Sequence, residues 1–303
     1  MQPAFSGIWV PVVTPFASSG AVAADALAEL VRHLVDAGIH GLVVCGTTGE
    51  AATLDDAEKA QVLSTVMDAC GDVPVVMGVS GVSPADVAAQ CRRWGTHRVA
   101  GFLVPPPYYV RPSRQGVIDF YAHVAAAAAP HAVQVYDIPY RTGVELALST
   151  LRTLAQMPGI RAVKDCGGDA RKTQALIADG QLNVLAGEDH QIFATVCQGG
   201  SGAIAASAHL HPQRFVALYE ALRAGRLDEA RALHHALAPL IDALFAEPNP
   251  GPLKGMLAAL GHIGPALRAP MTPAGVDAVR AAQTAYARAG DLIAGAVPQV
   301  ASD

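Results

Sequence analysis

The feature that most constrains this chain is an alternation. Short runs rich in Val, Ile and Leu, bounded by Gly or Pro, occur at residues 8–13, 41–45, 73–78, 101–104, 132–137, 160–164, 183–186 and 202–205. Apolar runs of this length read as strands buried on both faces, as in a parallel sheet. Ala-rich stretches with polar residues at helical spacing lie between them, for example at 25–36, 55–69, 84–94 and 113–129. Helix starts are marked: Ser83 before Pro84 places a capping hydroxyl ahead of a first-turn proline, and Thr53 or Asp55 can cap the stretch that holds Glu58 and Lys59. Eight strand–helix units within residues 1–225 predict an α/β fold, a (β/α)8 TIM barrel. An open doubly wound sheet is the competing arrangement of the same pattern.

Past Gly225 the strand signal ends. Residues 227–246, 252–260 and 273–289 read as helices separated by Pro and Gly clusters, so 226–303 is expected to be a C-terminal helical domain appended to the 1–225 barrel. The chain has 303 residues, half of them hydrophobic (51%), enough to bury such a core. A net charge of -5 supplies no basic field for nucleic acid or anionic lipid, and few aromatic residues are present to stack on bases. No apolar run is long enough for a spanning helix, and no Lys or Arg precedes Arg32, so no membrane segment or secretory signal is expected. Five scattered cysteines without a C-x-x-C pair fit reduced thiols in a cytoplasmic protein.

In a (β/α)8 barrel the carboxyl ends of the strands converge on one mouth, where chemistry is done. The second strand runs into Gly46-Thr47-Thr48-Gly49-Glu50, the fourth into Tyr108-Tyr109, the fifth ends at Tyr136-Asp137 before Tyr140-Arg141, and the sixth ends at Lys164. A lysine at the end of an apolar strand is costly unless its amine is neutral, paired or bonded to substrate. Desolvation favours the neutral amine, which attacks carbonyls. The competing readings are a lysine snorkelling to the rim or paired with Asp165. Imine chemistry on a keto acid also needs a proton shuttle and a carboxylate holder. Tyr136 supplies a phenol, Arg141 a bidentate fork, and Thr47 and Thr48 hydroxyls in a glycine-flanked turn.

These motifs, with the opening Gly7-Ile8-Trp9-Val10-Pro11-Val12-Val13-Thr14-Pro15-Phe16 and the closing Leu267-Arg268-Ala269-Pro270-Met271-Thr272-Pro273, fall in one familiar order. The chain resembles the dihydrodipicolinate synthase / N-acetylneuraminate lyase family of class I pyruvate aldolases and lyases. The resemblance implies that Lys164 forms an imine with pyruvate and that Tyr136 passes protons. It implies that Thr47 connects Tyr136 to Tyr109 reaching across from a neighbouring subunit. Thr48 would bind the pyruvate carboxylate, with the backbone at Ile204 and Gly187 lining the other side. Arg141 would hold the carboxylate of an aldehyde partner. No metal or organic cofactor is implied, pyruvate itself being bound covalently, and the assembly implied is a homotetramer built as a dimer of tight dimers.

Arg141-Thr142-Gly143, Tyr108-Tyr109 and the segment from Glu247 to Lys254 look like the synthase branch, which condenses pyruvate with aspartate semialdehyde in lysine biosynthesis. Asp137, Tyr140, Asp165-Cys166 and the run Ala205-Ala206-Ser207-Ala208-His209 depart from that branch's usual residues and are expected to reshape the aldehyde pocket. Asp56 and Lys59 stand where lysine-inhibited synthases carry histidines, so weak or absent lysine inhibition is expected. Rival readings remain: a keto-deoxy sugar-acid or sialic acid lyase, a non-catalytic keto-acid binder, or a metal enzyme using His209-x-His211 or Glu188-Asp189-His190. The glycines of Gly199-Gly200-Ser201-Gly202 could bind an anion, but a tight turn into the eighth strand explains them more simply.

Overall fold

Eight parallel strands close on themselves in chain order in the computed structural model, which describes residues 5–294. They are β1 (Gly7–Pro11), β2 (Gly41–Val44), β3 (Val75–Gly78), β4 (Gly101–Val104), β5 (Ala132–Asp137), β6 (Ile160–Asp165), β7 (Asn183–Ala186) and β8 (Gly202–Ile204). The pairing Gly7↔Gly202 and Trp9↔Ile204 joins β1 to β8, which excludes the open sheet. The seam needs glycine: Gly202 has φ +152, and a Cβ there would sit 2.0 Å from the Gly7 carbonyl oxygen. The glycine run before it is therefore a turn into the last strand.

Alternation along each strand sorts the side chains into two cores. One lies inside the barrel, where Phe5, Trp9, Val43, Val76, Leu103, Leu185 and Ile204 pack together. The larger lies between the strands and the surrounding helices and continues into the C-terminal helices through Leu237, Leu240, Leu253 and Leu257. On β5 this rule turns Tyr136 inward and Asp137 outward.

The helix starts form for the reasons the sequence suggests. The Ser83 hydroxyl accepts from the Asp86 amide ahead of Pro84, and Asp55 forms a reciprocal capping box with Glu58. Thr53 instead lies in a short turn, its hydroxyl donating to the Glu50 carbonyl. A four-residue helix, Pro139–Thr142, follows β5 and ends on Gly143 at φ +70; it carries Tyr140 and Arg141. Beyond the barrel run the helices Leu227–Leu244, Gly251–Ala259 and Val276–Ala294, the first packed against the last. Among the described residues no helix is long and apolar enough to cross a membrane.

Candidate active site

The register of the sheet builds the centre of the site. Tyr136 of β5 pairs with Lys164 of β6, so both side chains leave the inner wall at one level. The Lys164 ammonium donates towards the Tyr136 hydroxyl at 3.4 Å and sits 4.4 Å from the centre of its ring. Lys164 is 7% exposed, which is too deep for a side chain snorkelling to the rim. Asp165 does not pair with it. That carboxylate turns outward and accepts from the Thr173 hydroxyl at 2.5 Å and the Gly167 amide at 2.9 Å. Among the described residues no carboxylate lies within ion-pairing distance of Lys164. Burial pushes the Tyr136 phenol well above its ordinary pKa, against a hydrogen bond from Thr47 that works the other way. The phenol therefore holds its proton and can pass it on.

The turn after β2 is strained and then clamped. Cys45 and Glu50 bracket it at φ +52 and +54, conformations that non-glycine residues adopt only when their surroundings impose them. Four contacts hold the turn. The Thr14 hydroxyl donates to the Gly49 carbonyl at 2.7 Å. Asn249, from the C-terminal part, donates to the Thr48 hydroxyl at 3.0 Å. The fully buried Lys254 ammonium meets the Glu50 carboxylate at 2.5 Å, and the Arg268 amide donates to its other oxygen at 3.0 Å. Thr47 and Thr48 are thus fixed by chain more than two hundred residues away. Asn249, Glu50 and Lys254 are site-shaping residues that local patterning misses.

A cavity of about 370 Å³ opens over these groups. Thr47, Thr48, Tyr136, Arg141, Lys164, Gly187 and Ile204 all line it. Tyr109 does not; it is 89% exposed on a loop whose amide bonds the Thr142 carbonyl, outside the cavity of its own chain. A second cavity of about 290 Å³ shares Thr47, Tyr136, Arg141 and Asn249 as walls. Arg141 makes no ion pair among the described residues, and its guanidinium lies 5.5 Å from the Tyr140 ring. Its fork is open to a ligand carboxylate.

The model of the dihydrodipicolinate synthetase family matches residues 4–287. The chain belongs to that family. A 4-hydroxy-tetrahydrodipicolinate synthase from Sorangium cellulosum is 38% identical over 275 residues, covering 89% of this chain and 91% of the relative. One from Haloarcula marismortui is 36% identical over 272 residues, 88% of each chain. Among solved structures, the 4-hydroxy-tetrahydrodipicolinate synthase of Methylacidiphilum fumariolicum SolV superposes with a TM-score of 0.92 at 28% identity, covering 96% of this chain and 98% of its own. The dihydrodipicolinate synthase of Thermotoga maritima gives 0.91 at 29% identity, with 94% and 99% covered.

Within the dihydrodipicolinate synthetase family, the departures sort by where they point. Asp137 does not reshape the pocket, contrary to expectation. It faces the helix Ala170–Asp179 and forms a buried ion pair with Lys172 at 2.7 Å. Tyr140 does line the cavity, and its hydroxyl donates to Glu188 at 3.2 Å. Cys166 packs behind Gly187, where a Cβ would fall 2.3 Å from the thiol sulfur. Burial, opposed by Lys164, pushes that thiol far above its ordinary pKa, so it is held protonated and inert. His209 and His211 are engaged elsewhere: His209 with the Val13 amide and the Ala206 carbonyl, His211 with the Tyr286 carbonyl. His190 reaches Asp242 at 2.9 Å, and the Asp189 carboxylate accepts from the Ser207 amide at 2.6 Å. Among the described residues no three such side chains converge in a metal-binding arrangement.

Proposed function

We propose that the protein is a pyruvate-dependent lyase that condenses pyruvate with aspartate semialdehyde, the activity of a 4-hydroxy-tetrahydrodipicolinate synthase. The observation that supports it best is the buried Lys164 amine, free of any carboxylate partner and beside a phenol that keeps its proton. The Lys164 amine adds to the keto carbon of pyruvate, water leaves, and the resulting imine loses a methyl proton to become an enamine. Tyr136 carries these protons, and Thr47 orients its hydroxyl. Thr48 and the backbone at Ile204 and Gly187 hold the pyruvate carboxylate, leaving its methyl end towards the open cavity. The enamine carbon bonds to the aldehyde carbon, whose oxygen takes a proton. The aldehyde's own amino group, having given up its proton, then attacks the imine carbon, closing a ring and expelling Lys164 as the amine.

Arg141 favours an acidic aldehyde over a hydroxylated sugar acid, because an unpaired guanidinium at the mouth is built for a carboxylate. The substrate imine makes a resident cofactor unnecessary to this chemistry. A homotetramer in the cytoplasm completes the proposal, with Tyr109 inserted into the site of a neighbouring subunit; the exposed run Tyr108-Tyr109-Val110 is the surface that supports it. The test is a substrate panel with pyruvate fixed. Turnover is expected with aspartate semialdehyde and not with simple hydroxyaldehydes, and Arg141→Ala should lose activity on acidic aldehydes alone. Faster turnover of keto-deoxy sugar acids would favour the sugar-acid branch instead.

A further inference from the structure

The sixth strand breaks its own alternation. Val133 of β5 pairs with Ile160, but Gln134 pairs with Ala162, so Arg161 is inserted on β6 as an extra residue. Below this bulge Ile160 faces the outer core, and above it Ala162 faces the barrel interior. The inserted residue is what brings Lys164 to the inner wall. Without it Tyr136 would stand opposite Val163 and Lys164 would turn outward, because a one-residue slip exchanges the two faces of a strand. A bulge interrupts the ladder, so the pairing above it needs holding from elsewhere.

Charged residues hold it from outside the barrel. Asp137 and Asp165 are register partners, each directly following one member of the Tyr136–Lys164 pair. Both are buried, at 0% and 1% exposure. The helix Ala170–Asp179 meets them with two consecutive side chains. The Lys172 ammonium donates to Asp137 Oδ2 at 2.7 Å and to the Leu146 carbonyl at 3.3 Å. The Thr173 hydroxyl donates to Asp165 Oδ2 at 2.5 Å. Gly167 lets the three charges crowd together: a Cβ there would lie 2.5 Å from Lys172 Nζ, 3.0 Å from Asp137 Oδ2 and 3.1 Å from Asp165 Oδ1. Burial raises the Asp137 pKa, Lys172 opposes it, and the Asp165 charge adds to it. Two buried carboxylates thus share one cation, and removing it leaves like charges opposed across the strand pair that carries the chemistry.

We propose that Lys172 and Thr173 are positioning residues for the imine reaction, pinning Asp137 and Asp165 so that β6 keeps the bulged register in which Lys164 faces Tyr136. The inference rests on the imine chemistry proposed for Lys164. Neither residue lines the cavity, so their effect on the reaction passes through the strands.

The test follows, by mass spectrometry, how fast pyruvate and borohydride label wild type, Lys172→Met and Lys172→Met/Asp137→Asn. Each rate is corrected for the folded fraction measured by urea unfolding. Displacing a reacting group by about 1 Å can cost about a hundredfold in rate. Lys172→Met should therefore label roughly tenfold to hundredfold more slowly at saturating pyruvate, with the half-saturating concentration unchanged. Adding Asp137→Asn removes the stranded charge and should return most of that loss. A folded Lys172→Met that labels at the wild-type rate would overturn the inference. So would a defect confined to the half-saturating concentration, or one that Asp137→Asn deepens. Should Lys172→Met not fold, Thr173→Val decides: slower labelling at an unchanged half-saturating concentration supports the pin, and a wild-type rate overturns it. Failure of wild type itself to label would instead remove the underlying imine function, and this inference with it.

Discussion

His209 offers a quantitative prediction, because its protonation is coupled to barrel closure. The ring sits just past β8, is 2% exposed, and spans two strand ends. Its Nδ1 donates to the Ala206 carbonyl at 2.8 Å, while Nε2 accepts from the Val13 amide at 3.2 Å. A second proton on Nε2 would face the Val13 N–H, so both burial and geometry oppose it. Burial lowers the pKa from 6.5 to about 4. A base whose folded pKa lies below its unfolded value binds fewer protons when folded across that interval. Stability is then complete at neutral pH and is lost as pH falls from about 6.5 towards 4. With that shift, linkage gives a loss of about 2 kcal/mol at pH 5 and about 3 kcal/mol at pH 4. His209→Asn keeps a polar side chain at the position and abolishes the titration. Urea unfolding at pH 7.5 and pH 5, at one protein concentration, should show wild type losing about 2 kcal/mol more than the variant. Equal losses in the two proteins would refute the assignment.

Lys254→Met leaves the Glu50 carboxylate buried without its cation and should cost about 3–5 kcal/mol in chemical denaturation, most of it recovered by adding Glu50→Gln. Gly187→Ala drives a methyl group into the Cys166 sulfur and the Lys164 stem; it should eliminate pyruvate trapping, with partial rescue by Cys166→Ala. Millimolar lysine should leave initial rates unchanged. Asp56, at the start of its helix, is ion-paired to Arg93 rather than free to receive a ligand, and a clear inhibition curve would contradict this.

The strands were legible because burial on both faces writes itself as short apolar runs, and β4, β5 and β7 occupy the expected residues. The ends that moved have local causes. The Val12 amide still bonds to the Val43 carbonyl of β2, and the strand is broken at residue 13 because the Val13 amide goes to His209 rather than to a neighbouring strand. Residues 73 and 74 leave β3 because the Val73 amide closes a turn on Cys70 and Pro74 has no N–H to offer. Asp137 follows Tyr136 in sequence, yet strand alternation turns it to the opposite side, where it pairs with Lys172. Lys164, Tyr136, Thr47 and Thr48 could be found because strand ends are marked in the chain. Asn249 and the Glu50–Lys254 pair could not, since they act across more than two hundred residues with no periodic signal. The hydrogen bond from the Tyr140 hydroxyl to Glu188 joins residues forty-eight apart and has no local signal either.

Everything chemical proposed for this chain requires the buried amine on β6 to condense with a keto acid. Incubating the protein with pyruvate, reducing with borohydride and mapping the modified peptide by mass spectrometry tests that requirement directly. One stable pyruvyl adduct located on Lys164 is expected, and it should be absent in Lys164→Arg. An unmodified protein, or an adduct on some other lysine, would contradict imine chemistry at this site.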